Sequence, residues 1–493
     1  MQKHIPLTAN WVVENVPVDI WRTIFDILIT QLRAPDPDSD PTQAALILTH
    51  VCSSWRTIAS NTPELWTDVD VCIVSEEEKG SSPGTDQPSL NLHTLCLVLR
   101  NARHVPLTMK LQSEPPLVPS QCDLKLIQCF LEEMHRAKDL TVDLGILDRL
   151  QLLDKSLFDD ITAKAQPAPQ LTKLSLRVAD NVVPFPPILS TSWSPAPFLR
   201  SLLLNGAAGV VLDDVLGLKT SQFPFHQLTT LEIDTNVSTE AFFSLLSTTP
   251  SLQSGIFKKI EGEAPAEDST ATPICLPFLQ VLQMGGDCWE TEECPPLTDL
   301  LPFIKAPQLT TLKLQKDRRI SVDAFETFIQ NSSCELKHLH MDIEESHQVE
   351  KIECLKLLPC LESFDISTLS KSQRDRRDAN YVREVLTTAM TEWDGAKREF
   401  VICPKLKKIK LDYGALANTD TTIFSDMVEA RWERSGRSNE FEVEIERMGV
   451  LLIDKNGKSP NCDSETMRLL QLQESGLNLK HDLEFIWGAV ILQ

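Results

Sequence analysis

The chain has 493 residues, of which 42% are hydrophobic and 24% charged, the balance of an ordinary globular protein. Its 47 lysines and arginines are outnumbered by 70 aspartates and glutamates, so the formal net charge at pH 7 is −23. So acidic a chain is poorly suited to binding phosphate backbones or anionic membranes, because both require a basic surface. The composition therefore favours protein partners over nucleic acid or membrane.

Cysteine usage and the N-terminal residues indicate the compartment. Thirteen cysteines are spread along the chain without any Cys-x-x-Cys pair. The first residues lack the apolar run of a signal peptide, and no stretch reaches the ~18 apolar residues that a bilayer span needs. We therefore expect a cytoplasmic or nuclear protein whose cysteines are small core residues, with no metal site and no cofactor.

The first predicted element is an amphipathic helix over "VPVDIWRTIFDILITQL", residues 16–32. Pro17 suits the first helical position, and Asp19 meets the positive end of the helix dipole. The apolar stripe of this helix comprises Ile20, Ile24, Ile27 and Leu28. Two shorter helices are predicted at about residues 42–50 and 53–61, so residues 1–72 form a three-helix head.

Residues 73–90 are rich in charge, glycine, serine and proline, which predicts a flexible loop. The loop contains "GSSPG", a literal match to the nucleophile elbow of serine hydrolases around Ser82. Pro83 follows this serine and has no N–H to contribute to an oxyanion hole. We therefore expect no enzymatic activity.

From residue 91 to about residue 440 the phrase Leu-x-x-Leu-x-Leu recurs, usually after a proline. Clear copies begin at positions 169, 197, 226, 277, 307, 334, 359 and 404. The leading leucines from Leu140 to Leu361 follow each other at steps of 24 to 31 residues, and a step of 45 precedes Leu406. Such a step accommodates one strand, one helix and two turns, which is typical of leucine-rich repeats.

The predicted fold class is α/β. The three-helix head leads into an irregular leucine-rich-repeat solenoid, a curved parallel sheet with helices on its convex side. A helix and a strand near the C-terminus predict a cap over residues 441–493.

In each phrase, the residues that alternate with the two inward apolar side chains face the concave side of the sheet. This face is polar and mixed in sign. The candidates for contact with a target are Lys173, Arg177, Glu232, Lys313, His338, His340, Asp365, Lys408 and Lys410. His338 and His340 lie two apart on one strand without a recognisable third zinc ligand, so an exposed pair is expected.

The head, "VPVDIWRTIFDIL" followed by "ALILTHVCSSWRTIASNTPELWTDVDV", resembles the F-box, specifically that of the F-box-like proteins with irregular leucine-rich repeats found in fungi. The matching positions are Val16, Pro17, Asp19, Ile20, Ile24, Val51, Cys52, Trp55, Arg56, Pro63, Leu65 and Trp66. The resemblance implies a non-catalytic substrate receptor of an SCF-type cullin–RING ubiquitin ligase. Its head would dock on the small adaptor subunit, and its repeats would hold a target protein.

The adaptor contacts implied by the resemblance are Pro17, Ile20, Trp21, Ile24, Leu48, Val51, Cys52 and Trp55. Leu65 and Trp66 are predicted to pack the head onto the first repeat. The alternative is a plain repeat scaffold whose head only caps the solenoid. Burial separates the two hypotheses, since a cap needs Ile20, Ile24 and Trp55 covered by the repeats, whereas a receptor needs an exposed apolar patch.

Overall fold

The structure is a computed structural model, and it describes most of the chain. The described residues are 16–33, 41–73, 91–113, 120–146, 156, 167–178, 196–206, 223–265, 272–286, 296–317, 319–343, 348–366, 379–412, 422–446, 450–453, 464–481 and 484–487. Residues 74–90 of the predicted loop, with Ser82, lie outside them. The chain divides into two compact units, Met1–Leu228 and Thr229–Gln493.

Unit one begins with three helices. They are α1 (Val18–Arg33), α2 (Pro41–Val51) and α3 (Ser53–Ser60), and a 3-10 turn follows at Pro63–Trp66. Three aromatic rings pack together among these helices: the ring centroid of Trp55 lies 5.2 Å from that of Trp21 and 4.9 Å from that of Phe25. Trp21 and Phe25 share one face of α1 because they are four residues apart. The core of the head is therefore aromatic.

Trp66 is buried in the turn that follows the head helices. Only 1% of this residue is exposed, and its indole N–H donates a 2.8 Å hydrogen bond to the Ala59 carbonyl oxygen in α3. The turn that carries Trp66 and the buried Leu65 contacts all three head helices and the next helix, α4 (Leu92–Ala102). The structure thus places Leu65 and Trp66 between the head helices and α4.

The rest of unit one is a parallel sheet with helices between strands. The strands are β1 (Asp68–Ile73), β2 (Leu107–Ser113), β3 (Ala137–Asp143), β4 (Lys173–Val178) and β5 (Ser201–Gly206), and α5 spans Gln121–Glu133. Each strand pairs in parallel with the next. β1 begins inside the region that the sequence assigns to the head and ends at the first residue of the predicted loop, so the sheet starts one strand earlier than predicted.

Unit two continues the same architecture. The strands of its parallel sheet are, in order, β6 (Thr230–Ser238), β7 (Ser254–Glu261), β9 (Val281–Gly286), β11 (Thr311–Asp317), β12 (His338–Ile343), β13 (Ser363–Asp365), β16 (Lys408–Asp412), β17 (Glu442–Glu446) and β19 (Asn478–His481). The helices are α6 (Thr239–Thr248), α7 (Val322–Ser332), α8 (Gln348–Lys356), α9 (Ala379–Thr391), α10 (Ile423–Arg434) and α11 (Ser464–Glu474). β17 pairs with β16, so the sheet runs on across the predicted boundary at residue 440.

Short strands complete unit two. β8 (Ile274–Cys275) pairs with β10 (Ile304–Lys305), and β18 (Val450–Ile453) with β20 (Glu484–Trp487), both in parallel. β14 (Trp393–Asp394) and β15 (Glu399–Phe400) form an antiparallel hairpin. The repeated strands of the two units confirm a leucine-rich-repeat architecture with a long parallel sheet.

A four-residue turn explains the proline that precedes most strands. In seven of the described turns the N–H of the leading leucine donates to a carbonyl oxygen three residues earlier, as Leu199 does to Ala196, Leu309 to Ala306 and Leu406 to Cys403. Proline occupies the second position, which its fixed φ suits. The first and last turn residues are buried, whereas the third is exposed in most of these turns, as at Phe198 and Phe278.

Successive repeats are joined where their strands begin. The Thr310 carbonyl oxygen accepts hydrogen bonds from the N–H groups of both Lys337 and His338, each 2.9 Å long. The Lys337 carbonyl oxygen accepts from Glu362 and Ser363 in the next repeat in the same way. This pair of hydrogen bonds to one carbonyl oxygen recurs along unit two and fixes the register of each strand against its neighbour.

Cysteine burial corrects the expectation from the sequence. Cys354 and Cys403 are buried, but Cys96, Cys122 and Cys275 are exposed. Cys96 and Cys122 lie on the solvent side of helices α4 and α5, and Cys275 lies in the short strand Ile274–Cys275. None of the described helices is both long enough and apolar enough to cross a membrane.

Gly285 in β9 allows a close approach of β7. A Cβ atom at this position would lie 2.2 Å from the carbonyl oxygen of Lys258, where the register between β7 and β9 shifts. Because that obstacle is backbone, only a displacement of the strand could relieve it.

We predict that Gly285→Ala destabilises the chain by about 1–3 kcal/mol, the usual range for overpacking a core. The measurement is the midpoint of urea unfolding. Gly395→Ala is the matched control, because a Cβ there meets no atom within 4 Å. Equal midpoints for the two variants would contradict the prediction.

Arg431 in α10 is a buried cation that binds backbone oxygens. Its guanidinium donates to the carbonyl oxygens of Met390, Ile402 and Cys403 at 2.7–3.1 Å. It also stacks 4.2 Å from the centroid of Phe400, in the hairpin. Burial lowers the pKa of Arg431 to about 10, so the side chain remains charged at neutral pH. One side chain thus ties α9 and the following hairpin to α10.

Arg431→Met is predicted to cost about 1.5–3 kcal/mol, the usual value of hydrogen bonds to a charged group, since it leaves buried carbonyl oxygens unpaired. The readout is again the denaturant midpoint. The control is Arg437→Met, which removes an exposed arginine paired with Glu433 at 3.1 Å and should change stability by less than about 1 kcal/mol.

Candidate functional site

An apolar row lies exposed along α1. Ile20 is 51% exposed and Ile24 is 40% exposed, and Ile27 and Leu28 continue the row. The neighbouring side of the helix is buried. The spacing of 4, 3 and 1 residues keeps the exposed four on one face of the helix.

A second apolar row lies on α2, which contacts α1. Ile47 is 58% exposed and Val51 is 55% exposed, one helical turn apart. We call the two rows together the head patch, which consists of Ile20, Ile24, Ile27, Leu28, Ile47 and Val51. Exposed aliphatic side chains concentrated on adjacent helices are typical of a protein-binding surface.

The sequence-predicted adaptor residues divide by burial. Pro17 is exposed, together with Ile20, Ile24 and Val51 of the head patch. Trp55 and Cys52 are half-buried, and the Cys52 sulfur accepts a 3.4 Å hydrogen bond from the Trp55 N–H, which caps the start of α3.

Trp21 and Leu48 require a correction. They are only 8% and 2% exposed, because they face the interior formed by the three head helices. Trp21 packs against Trp55 and therefore belongs to the core of the head instead of its surface. In their place, sequence reasoning missed Ile47, whose four-residue spacing from Val51 was the available signal.

In unit two, a row of charged side chains crosses the sheet at one level of the strands. The strand register places side by side Lys313, His340, Asp365, Lys410, Glu444 and Lys480. From Asp365 onward the formal charge changes sign at every strand. We call the described side chains that alternate with the buried core residues of these strands the strand face.

Ion pairs hold this face together. Lys408 bonds Glu442 at 2.8 Å and also pairs with Glu444, while Lys480 bonds Glu442 at 2.8 Å from the other side. Partial burial opposes the charge of Glu442, but the hydrogen bonds from the two lysines outweigh it and lower its pKa below the ordinary value. The lysine charges are therefore largely compensated within the sheet.

A cavity of about 400 Å³ opens on the strand face. It is lined by His338, Glu362, Ser363, Asp365, Lys407, Lys408 and Lys410. Four of the predicted target-contact residues, His338, Asp365, Lys408 and Lys410, thus lie at one place. Glu362 also takes part, since its hydrogen bond and ion pair with Lys407 lower the pKa of this carboxyl group.

His340 does not form the exposed pair expected with His338. It is 5% exposed, and its Nδ1 atom lies 3.1 Å from a carboxylate oxygen of Asp365. The strand register places it between Lys313 and Asp365 on the adjacent strands. Among the described residues, no group of three or more histidine, cysteine, aspartate or glutamate side chains is arranged to hold a metal ion.

The other candidates are dispersed. Lys173 and Arg177 are exposed on β4 of unit one. Glu232 on β6 pairs with Lys258 on β7 at 3.3 Å, and Lys313 is half-buried. These residues do not share the cavity.

The lowered pKa of Glu442 makes part of the stability acid-sensitive. A carboxyl group whose pKa falls on folding adds stability above its unfolded pKa, about 4.5, and loses it as the pH drops through the folded pKa. We predict that Lys408→Met lowers stability at neutral pH and flattens its decline below pH 4.5. Unfolding midpoints measured across this range test the prediction, which parallel curves for the variant and the wild-type chain would contradict.

Comparison with known proteins gives distant structural similarity only. No family model matches the chain, and no curated protein matches it. An internalin from Listeria monocytogenes matches at 13% identity and a TM-score of 0.36, over 92% of this chain and 97% of the internalin chain. The TLR13–ssRNA13 complex matches at 14% identity and a TM-score of 0.35, over 81% of this chain and 48% of the TLR13 chain. The leucine-rich-repeat description therefore rests on this chain's own strands and turns.

Proposed function

We propose that this chain is the substrate-recognition subunit of an SCF-type cullin–RING ubiquitin ligase. Its head docks on the small adaptor subunit, and its strand face holds a target protein. The chain contributes binding, and its partners carry out the transfer of ubiquitin. The observation that carries the proposal is the head patch, exposed on the segment that resembles an F-box.

The head patch has the chemistry of a docking site. Transfer of an aliphatic side chain of this size from water into an apolar environment is favourable by about 1.5–3 kcal/mol of free energy. Ile20, Ile24 and Ile27 recur at helical spacing, which suits insertion of α1 into a groove on a partner. Six such side chains supply enough apolar surface for the centre of an interface.

The plain-scaffold alternative explains less. A cap must cover its apolar surface with the repeats that it protects, and Trp66 and Leu65 already do this against α4. Ile20 and Ile24 lie on a different, exposed surface. The cap role alone does not account for these exposed apolar side chains.

The strand face is the proposed target surface. Lysines and carboxylates alternate across β13, β16, β17 and β19 in the row from Asp365 to Lys480, so this row has no net formal charge despite the acidic chain. It therefore favours a target of mixed charge, whose own lysines and carboxylates replace the internal ion pairs. The proposal implies a cytoplasmic or nuclear location.

The test is a co-expression of the full chain with the adaptor subunit, followed by size-exclusion chromatography. We expect one complex with the wild-type chain. Ile20→Asp combined with Ile24→Asp should weaken adaptor binding by at least about 100-fold, since two apolar anchors are lost and two charges are desolvated. The double variant should elute without the adaptor.

The matched control is Val349→Asp combined with Val385→Asp. These two valines are 63% and 40% exposed on α8 and α9, so the control adds the same charges to exposed helix positions outside the head. It should retain the adaptor, and both double variants should melt like the wild-type chain. A folded wild-type chain that elutes without the adaptor would contradict the receptor function. The plain-scaffold alternative would then remain.

A further inference from the structure

We propose that Cys360 and Lys405 form an oxidation-sensitive pair, in which hydrogen peroxide converts a contact between thiol and amine into a reversible sulfenamide cross-link. This modification site lies in unit two, on the turns that precede β13 and β16. It does not depend on the proposed ligase function.

The amine and the thiol are in contact across two successive repeats. The Nζ atom of Lys405 donates a 3.6 Å hydrogen bond to the sulfur of Cys360. Lys405 is exposed and Cys360 is half-buried, so a small oxidant in the solvent reaches both side chains. A bond between nitrogen and sulfur then needs only a short approach, which the flexible four-carbon stem of a lysine can supply.

The repeat architecture fixes the backbone positions from which these two side chains start. Each residue occupies the third position of a proline turn, directly after Pro359 or Pro404. Just beyond the turns, the Glu362 carbonyl oxygen accepts hydrogen bonds of 2.8 and 2.9 Å from the N–H groups of Lys407 and Lys408. β13 and β16 then pair in parallel. Cys360 and Lys405 are therefore equivalent residues of adjacent repeats, held side by side by the strand register.

Burial protects the neighbouring cysteines from the same reaction. Cys354 and Cys403 are buried, and burial raises the pKa of each thiol to about 12. Because the thiolate is the reactive form of cysteine, these two side chains stay protonated and unreactive at neutral pH. Of the three thiols, Cys360 is the one that peroxide reaches.

The chemistry proceeds in two balanced steps. The Cys360 thiol reduces one hydrogen peroxide and becomes a sulfenic acid, and one water leaves. Lys405, as the neutral amine, then attacks the sulfenic sulfur: the S–N bond forms, the S–O bond breaks, and the departing hydroxide takes one amine proton and leaves as a second water. The sulfur is thus oxidised by two electrons, and the peroxide is reduced by two. A dithiol reductant restores the thiol and the amine and is itself oxidised to a disulfide.

The cross-link would join the two repeats that the 45-residue step separates. It closes the segment from 360 to 405, which contains α9 and the hairpin of β14 and β15. Closing such a segment restricts the unfolded chain and so stabilises the folded one. The linked residues also lie two positions before Glu362 and Lys407, which line the cavity of the strand face. Oxidation should therefore fasten together the two repeats that bear the cavity.

The test treats the reduced full-length chain with hydrogen peroxide, cleaves it after glutamate residues and analyses the peptides by mass spectrometry without reduction. We expect the peptide 354–362 joined to the peptide 400–429, with a loss of two hydrogen atoms that fragmentation assigns to Cys360 and Lys405. Dithiothreitol should release the two peptides. The oxidised chain should melt a few degrees higher than the reduced chain.

Four variants complete the experiment. Lys405→Arg keeps the positive charge but has no amine that can lose its proton, and Cys360→Ser removes the sulfur. Each should abolish the cross-link and the rise in melting temperature, while its reduced form melts like the wild-type chain. Lys397→Arg and Cys275→Ser change an exposed lysine and an exposed cysteine of unit two and should alter neither result.

Three outcomes would overturn the proposal. A disulfide from Cys354 or Cys360 to Cys403 would give the same loss of mass, but it would persist in the Lys405→Arg variant. Oxidation of Cys360 to the sulfinic acid with Lys405 unlinked would show that the amine does not capture the sulfenic acid. A cross-link that retains one oxygen atom of the peroxide would exclude the direct bond between sulfur and nitrogen.

Discussion

The backbone hydrogen bonds at the start of each strand are the constraint on which the rest of the structure depends. One carbonyl oxygen, such as that of Lys337, accepts two N–H groups from the following repeat, and the buried leading leucine holds the turn beside it. A slip of one residue would move leucines to the solvent side and lysines to the core. Register is therefore fixed strongly, and side chains far apart in sequence come to lie in rows. The cavity and the ion pairs of Lys408 exist only because these rows are aligned.

Sequence spacing was sufficient to predict the repeats, because the signal is local and occurs many times. A leucine at a fixed offset from a proline specifies a turn and a buried position without reference to any other repeat. It was insufficient for His340, whose burial depends on Lys313 and Asp365, each about 25 residues away in the chain. The same holds for Trp21, since periodicity within one apolar helix does not reveal which side faces the helices that follow.

The features that the sequence did not reveal share one property. Gly285 opposes a carbonyl oxygen of another strand, and Arg431 binds oxygens contributed from outside its own helix. Neither residue carries a local pattern that distinguishes it from other glycines or arginines. Their roles are set by three-dimensional proximity, which a single sequence does not show. The resemblance of the head to an F-box suggested the proposed function, but only the fold identified which of its apolar residues remain on the surface.

The exposed third position of the proline turns has an evolutionary consequence. Most of these turns bury their first and last residues and expose the third to water, where one repeat has Phe198 and another has Lys405. Mutations at that position alter the rim of the sheet while the interior is preserved. A family of such chains could therefore diversify its ligands along that rim, one repeat at a time, without a loss of foldability.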